Sequence, residues 1–509
     1  MKKIILLSSI LTLLPLIAFA ATIHVPTIQA TTIQAGVDAA ENGDIVLLAD
    51  DTYRGPGNYD IDLKDKSITI KSSGGAKSCI IDCPQNGRGF SVSNCETVTF
   101  EGLTVKNGDA GDNDGGGIYA NESDIIVVDC IFDGNSASRF GGAVYSSSDS
   151  SSFSNCTFTN NSAVFSGGAV YSDSSSYSDS SSFSNCTFTG NSASHYGGAV
   201  YSSSDSSFSN CTFTGNSAAY SGGAIYSSYS SSFSNCTFTG NRASTYSGGA
   251  VSSSYSSFSN CTFTGNSASS TGGAVSSSDS SFTNCTFTGN SAFYGGAVLS
   301  SFSDSSFSFT NCTFTRNKAT AQGGSIWCNI PLAAENPITL TNCILWGNTA
   351  PEGPEIYEGG KPLIITYSDI QGSHTGTGNI ASDPLFVDAG NVDLHLQYSS
   401  PCIDTGTADG APADDLDDYL RPVGAGYDMG AYEYHYDTLV WQGYSISWND
   451  NQNWQPNMVP AVFNTVVISD LPSERDWPVV NDSSAVALKV LIESGTLTIN
   501  LGKLSLGSS

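Results

Sequence analysis

The chain has 509 residues, 39% of them hydrophobic and only 13% charged, with 18 basic against 47 acidic side chains and a formal net charge of -29. That acidic balance argues against nucleic acid and anionic membrane surfaces as partners. The length permits two to four ordinary domains or one long repetitive one.

Residues 1-20 combine Lys2 and Lys3, the apolar run IILLSSILTLLPLIAF and Ala18-Phe19-Ala20 ahead of Ala21. This charged, apolar and small-residue order is that of a secretory signal peptide, so export is expected, with a mature chain starting near Ala21. No later segment is long and apolar enough to span a bilayer. Residues 21-114 are expected to form an N-terminal cap and irregular coils. A short amphipathic helix is predicted around Thr32 to Glu41, followed by strands with Ile68, Ile70, Ile80, Val98, Phe100, Leu103 and Val105 pointing inward. A cap is needed because an open first coil exposes both apolar core and unpaired backbone.

Residues 115-348 repeat. A GGAV-like tetrapeptide opens at Gly115, Gly141, Gly167, Gly197, Gly222, Gly248, Gly272, Gly295 and Gly323. Locked to it is Asn-Cys at Cys156, Cys186, Cys211, Cys236, Cys261, Cys285 and Cys312, each followed by Thr-Phe-Thr, with Cys130 and Cys343 as looser outer copies. A period near 25 residues without helical periodicity predicts an all-β solenoid, one coil per repeat. Phe153 and Phe158 fall on opposite parities, so a single strand would expose one of them; a bend at Asn155 removes the conflict. Each coil is therefore predicted to hold three strands (GGAVY, SSFS and CTFT), closed by a G-N-S-A turn. Val144, Phe153, Cys156 and Phe158 then point inward and Thr157 and Thr159 outward, and the Ser-rich links face solvent. Coils stack about 4.8 Å apart, so identical residues form ladders. Phe158, Phe188, Phe213, Asn161, Asn191 and Asn216 are assigned to such ladders. The cysteine column is expected to hold buried thiols, because parallel Cβ vectors would strain bridges. Cys79 with Cys83 or Cys95, and Cys328 with Cys343, are the better candidates for pairing.

Residues 349-436 are expected to form final coils and a C-terminal cap. Residues 437-509, with Trp441, Trp448, Trp454 and Trp477 and the alternating VALKVLIESGTLTINLGKLSLGSS, are expected to form a second small β-domain whose pattern is still running where the chain ends.

The pairing of GGA[VIL] with F-x-x-N, as in Gly141 to Val144 and Phe158 to Asn161, resembles the polymorphic outer membrane protein repeats of chlamydial surface proteins. The resemblance implies a right-handed parallel β-helix displayed on the cell outer membrane surface or secreted, in a family associated with adhesion. Its partner would be a protein or glycan on a host or neighbouring cell. Those relatives end in an outer-membrane barrel, for which Tyr436 to Ser509 has neither the length nor the strands. The N-terminal coils resemble the pectin-lyase-like superfamily. Arg421-Pro422 with Asp428-Met429-Gly430-Ala431-Tyr432-Glu433 resembles the end region of bacterial β-helix proteins that carry interchangeable anchors.

Many β-helices cleave acidic polysaccharides, which requires paired carboxylates, or a base with calcium and cationic neighbours. Between Ser146 and Phe309 the charged residues are only Asp149, Asp173, Asp179, Asp205, Asp279, Asp304 and Arg242. His24, His195, His374, His395 and His435 are scattered. No catalytic residue is assigned, and a lyase or glycosidase stands as the alternative function. For metals, Asp112 and Asp114 in DNDGGG and Asp415 and Asp417 in DDLDD are either solvated acidic turns or ligands for a hard cation such as calcium. Neither matches an EF-hand loop. No other cofactor is implied. The outward Thr-x-Thr pairs, Thr157 and Thr159 onward, resemble the face of β-solenoid ice-binding proteins. Tyr145, Tyr171, Tyr201 and Tyr226 are the candidate exposed anchors for an adhesive surface.

Overall fold

The computed structural model describes residues 20–435 apart from 85–86, 149, 174–180, 301–306, 329–337 and 361, together with Trp448 and short strands between 438 and 506. The rest of the predicted signal peptide, residues 1–19, lies outside the described residues.

Each coil pairs with the next through parallel, in-register strands, and the strands stack into sheets of 14, 12, 13 and 8 members. The result is a parallel β-solenoid of about 12 turns with roughly 26 residues per coil. In one coil, Val200–Ser202, Ser206–Ser209 and Thr212–Thr214 are the three expected strands. A fourth, Ser217–Ala218, occupies what was expected to be a turn. The predicted GGAVY strand is also shorter, because both glycines precede it. The first glycine, from Gly141 to Gly295, holds φ between +62° and +67°, where a Cβ is strained. A Cβ on the second, such as Gly198 or Gly223, would overlap the glycine carbonyl of the next coil. The GG pair thus records one left-handed turn and one close backbone approach.

The bend at Asn155 takes φ +55°, and Asn185, Asn210, Asn235, Asn260, Asn284 and Asn311 repeat it at +51° to +54°. Asparagine tolerates this region, so two adjoining strands can both bury a phenylalanine. Phe158, Phe188, Phe213, Phe238, Phe263, Phe287 and Phe314 stack with centroids 4.6 to 4.9 Å apart and planes within 6°. A second column through Phe153, Phe183 and Phe208 meets the first edge-on at 6.0 to 6.1 Å. Each such pair adds about 0.5–1.5 kcal/mol beyond burial.

All fourteen cysteines are buried and unbridged. The expected pairing of Cys79 with Cys83 or Cys95 is not formed. Nor is that of Cys328 with Cys343, because Cys343 belongs to the column and donates to the Phe309 carbonyl at 3.5 Å. Cys285 and Cys312 donate likewise to Phe258 and Phe282 of the preceding coil. Burial pushes both thiols well above the ordinary value, so they stand as neutral S–H groups.

Beside the thiols runs a column of buried asparagine amides: Asn135, Asn161, Asn191, Asn216, Asn241, Asn266, Asn290, Asn317 and Asn348, all at most 4% exposed. From Asn135 to Asn317 the backbone N–H and Nδ2 both donate to Oδ1 of the next, and Nδ2 also donates to a carbonyl of the preceding coil, Val105 for Asn135 and a phenylalanine from Asn161 onward, as Asn191 does to Asn216 and Phe158. The amide dipoles therefore point one way along the rod. The column ends at Asn348, which donates to both carboxylate oxygens of Glu355.

Two expectations about the surface are corrected. Ser146, Ser151, Ser172, Ser181, Ser202 and Ser206 in the Ser-rich links are buried rather than solvent-facing. They sit at the corner between two sheets, where small side chains fit and the hydroxyls bond one another, as Ser146, Ser148 and Ser151 do at 2.8 to 2.9 Å. Ile80 points outward, because Cys79 and Ile81 take the inward positions of its strand.

At the N-terminal end, Thr32 caps a helix over Ile33–Ala39 whose Ile33 and Val37 are buried in the rod core. A strand not expected from the sequence, Thr22–Val25, pairs with Ile45–Leu48. In 437-509, Trp454–Gln455, Thr438–Trp441, Thr465–Ile468 and Lys489–Ile492 form a four-stranded sheet. Trp477 lies outside the described residues.

Candidate functional site

The outward face of the Thr-Phe-Thr sheet is the most regular surface of the molecule. Thr157 and Thr159 pair in register with Thr187 and Thr189, and these in turn with Thr212 and Thr214, Thr237 and Thr239, Thr262 and Thr264, Thr286 and Thr288, and Thr313 and Thr315. Along one edge of this face stand the bend asparagines. The face is not uniform. Through Thr264 the threonines are half-buried and Asn155, Asn185, Asn210 and Asn235 are exposed, but Thr286, Thr288, Thr313, Thr315, Asn284, Asn311 and Asn342 are buried.

A lobe built from residues 383–435 covers that end. The last coil closes with Ile380 bridged to Asp369, and the chain then turns back along the side of the rod. Expected as an end cap, this segment packs against the outward sheet face instead. Ile344 replaces the outward threonine of the next rung and buries with Leu396, Cys402 and Met429. Asn284 donates to the Asp414 carbonyl, Asn311 to those of Asp428 and Gly430, and Asn342 to that of Thr407. Thr313 Oγ1 accepts the Ala431 N–H at 3.0 Å, and Arg316 donates to the Ala389 and Gly390 carbonyls.

Carboxylates organise the lobe internally. Asp404 accepts the N–H groups of Ala425 and Gly426, and Asp415 those of Asp417, Tyr419 and Glu433. Arg421, with a fully buried side chain, pairs with equally buried Glu433 at 2.5 Å and donates to Asn284. Burial, with Glu433 close by, raises the Asp428 carboxyl.

These groups give the C-terminal end a signed pH dependence. Burial pushes Glu355 up to about 7 and Asp369 up to about 6, against the hydrogen bonds they accept. Unfolded carboxyls titrate near 4, so between about pH 4 and 7 the folded chain holds extra protons and stability falls as pH rises. For His395 burial opposes the charged ring, but hydrogen bonds to Asp417 and Asp393 at 2.7 and 2.6 Å outweigh it. Its contribution is complete below about 6.5 and is lost as pH rises through the raised value, which is the same sign. The melting temperature is expected to drop between pH 5 and pH 8, with Glu355 alone contributing on the order of 3 kcal/mol. Glu355→Gln, whose amide oxygen continues the asparagine column, should flatten the curve; a melting temperature that rises toward pH 8 contradicts the assignment.

The family described as the right-handed β-helix region matches residues 34–213 and 168–329. The chain belongs to the right-handed β-helix family. No curated protein matches it. Among solved structures, a mutant of the PL6 family alginate lyase AlyGC aligns with 95% of this chain and 71% of its own, at 10% identity and a TM-score of 0.28.

On this right-handed β-helix the remaining candidate residues are dispersed. Asp112 is exposed in a turn, while Asp114 accepts the Phe140 N–H and faces Arg139 at 3.6 Å. Asp415 is occupied by the amides above, and Asp417 by His395. Among the described residues no group of three or more His, Cys, Asp and Glu is placed to hold a metal ion. His24 is exposed, His374 pairs with Glu358 at 2.8 Å, and His435 lies against Tyr419. His195 stacks between Phe165 and Tyr220 in an outer aromatic column. The proposed tyrosine anchors are more enclosed than expected: Tyr145, Tyr171, Tyr201 and Tyr226 stack face to face, with Tyr119 ahead of them, at 4.5 to 5.6 Å, and Tyr171 is buried. In-register strands align their rings, so only edges face solvent.

Proposed function

We propose that this β-helix is an exported, non-catalytic rod, on the cell surface or secreted, whose repeated outward face serves adhesion. The observation that carries this reading is the run of rungs from Thr157 and Thr159 to Thr262 and Thr264, identical and in register along an uncovered face. A stiff ladder repeats one weak contact many times, which favours multivalent attachment over a single reactive centre. The order of residues 1-20 supports export, and the resemblance of GGA[VIL] with F-x-x-N to polymorphic outer membrane protein repeats supports surface display.

The test is to delete whole coils, for instance 206–230 and then 206–255, and to measure binding to extracellular-matrix and glycan panels beside cleavage of acidic polysaccharides. Binding is expected to fall stepwise with coil number. A polysaccharide-cleaving activity lost abruptly on one point substitution would replace this reading with the enzyme.

A further inference from the structure

The lobe shows what the threonine face accepts. Where it docks, main-chain groups of a non-helical segment meet two repeated features of the rod: the bend-asparagine amides and the outward threonine hydroxyls. Asn284, Asn311 and Asn342 all donate Nδ2 to lobe carbonyls, and Asn342 Oδ1 also accepts the Thr407 N–H at 2.8 Å. Thr313 supplies the acceptor for Ala431, and beside it Gly430 leaves no room for a side chain: a Cβ there would stand 2.9 Å from Thr313 Oγ1 and 2.8 Å from the Ile344 side chain. The rod thus recognises polypeptide backbone carrying a small Gly-Ala step.

The same features continue without interruption beyond the lobe. Asn155, Asn185, Asn210 and Asn235 hold the left-handed bend of Asn284 and Asn311, in the same position relative to an in-register Thr-x-Thr pair, and are exposed. Coils are about 4.8 Å apart, so the uncovered donors and acceptors repeat the spacing that the lobe already uses. We propose that the face from Asn155 to Thr264 is a docking surface for a non-helical polypeptide segment of a partner protein, bound through its main chain and bearing glycine or alanine where it meets the threonines. This rests on the display reading and names the partner class for that face: its continuity with the lobe interface favours a peptide over a glycan. Uncharged threonine and asparagine set no charge requirement, so specificity comes from the small residues and from backbone that is not already paired.

The probe is a fluorescein-labelled peptide of residues 404–434, added to the full chain and followed by anisotropy. Saturable binding is expected. The triple variant Asn185→Gly, Asn210→Gly and Asn235→Gly, which keeps the positive φ but removes the amides, should weaken it at least about tenfold. A second set, Thr187→Val, Thr212→Val and Thr237→Val, removes the hydroxyl acceptors while preserving strand propensity, and should weaken binding in the same direction even if the glycine set folds poorly. No saturable binding, or binding unchanged in both sets, overturns the inference, as does a neutral glycan whose capture these variants abolish while peptide is not bound. Such a failure with stepwise loss on coil deletion intact would remove the peptide partner and leave the display reading. Loss of the stepwise behaviour would remove the display reading itself.

Discussion

Asn241→Ala is expected to destabilise the rod by about 4 kcal/mol or more, far beyond the ordinary effect of a polar substitution. The Asn241 side chain accepts from both the backbone N–H and Nδ2 of Asn216 and donates to the Phe213 carbonyl and to Asn266 Oδ1, at 2.9 to 3.0 Å and with no solvent exposure. Alanine removes four hydrogen bonds at once. It also strands the Asn216 donors where no water replaces the lost partner, at about 1–3 kcal/mol for each group left unmet. The column is continuous, so the break should divide a cooperative array into two, visible as amide hydrogen exchange spreading outward from the coils of Asn216, Asn241 and Asn266. Ser232→Ala, on an exposed outward position of the same coil, should stay within about 0.5 kcal/mol. A urea-unfolding difference below about 1 kcal/mol for Asn241→Ala would show that the column is not a principal support of the fold.

Arg421→Ala is expected to release the lobe while leaving the rod folded. The substitution leaves Glu433, fully buried and near buried Asp428 and Asp415, without its cation, and it removes one of the two hydrogen bonds that tie the lobe to Asn284. Breaking one side of a buried ion pair costs about 3–5 kcal/mol, and the phenylalanine and asparagine columns take no part in that pair. Limited proteolysis should cut within 404–434 and spare the coils from Gly141 to Thr288. Arg421→Lys should not restore protection, because one guanidinium donates to Glu433, Asn284 and the Gly430 carbonyl in a geometry that an ammonium does not reproduce. Unchanged protection of 404–434 in Arg421→Ala would mean that the cluster of Ile344, Leu396, Cys402 and Met429 and the hydrogen bonds from Asn311, Asn342 and Thr313 hold the lobe without the ion pair.

The solenoid was legible because its ladders are written in the sequence. Phe153 and Phe158 on opposite parities require a bend, and Asn155 between them supplies it; the glycine pair of GGAVY, read as the start of a strand, instead makes a left-handed turn followed by a close approach. The fourth strand, Ser162–Ala163 in its coil, escaped because two residues carry no periodicity. The buried serines escaped because a Ser-rich run looks solvated until its hydroxyls are seen to satisfy one another. Glu355 was missed as the terminus of the asparagine column because PEGPEIY follows neither repeat motif. A signal for the covered end was nonetheless present: at Ile344-Leu345-Trp346 the outward threonines give way to Ile344 and Trp346, and apolar residues pointing outward need a cover.

By itself the sequence determined the coil, its period, its phenylalanine and cysteine columns and its asparagine bends, since each follows from local parity and from conformations that only certain residues tolerate. It could not distinguish Thr157 from Thr313, or Asn155 from Asn311, which lie in the same Asn-Cys-Thr-Phe-Thr. Only the tertiary structure decided that one set faces solvent and the other lies beneath the lobe. Local chemistry is the same in both, and the difference arises from a return of the chain over more than a hundred residues, as between Thr313 and Ala431, which no local pattern encodes.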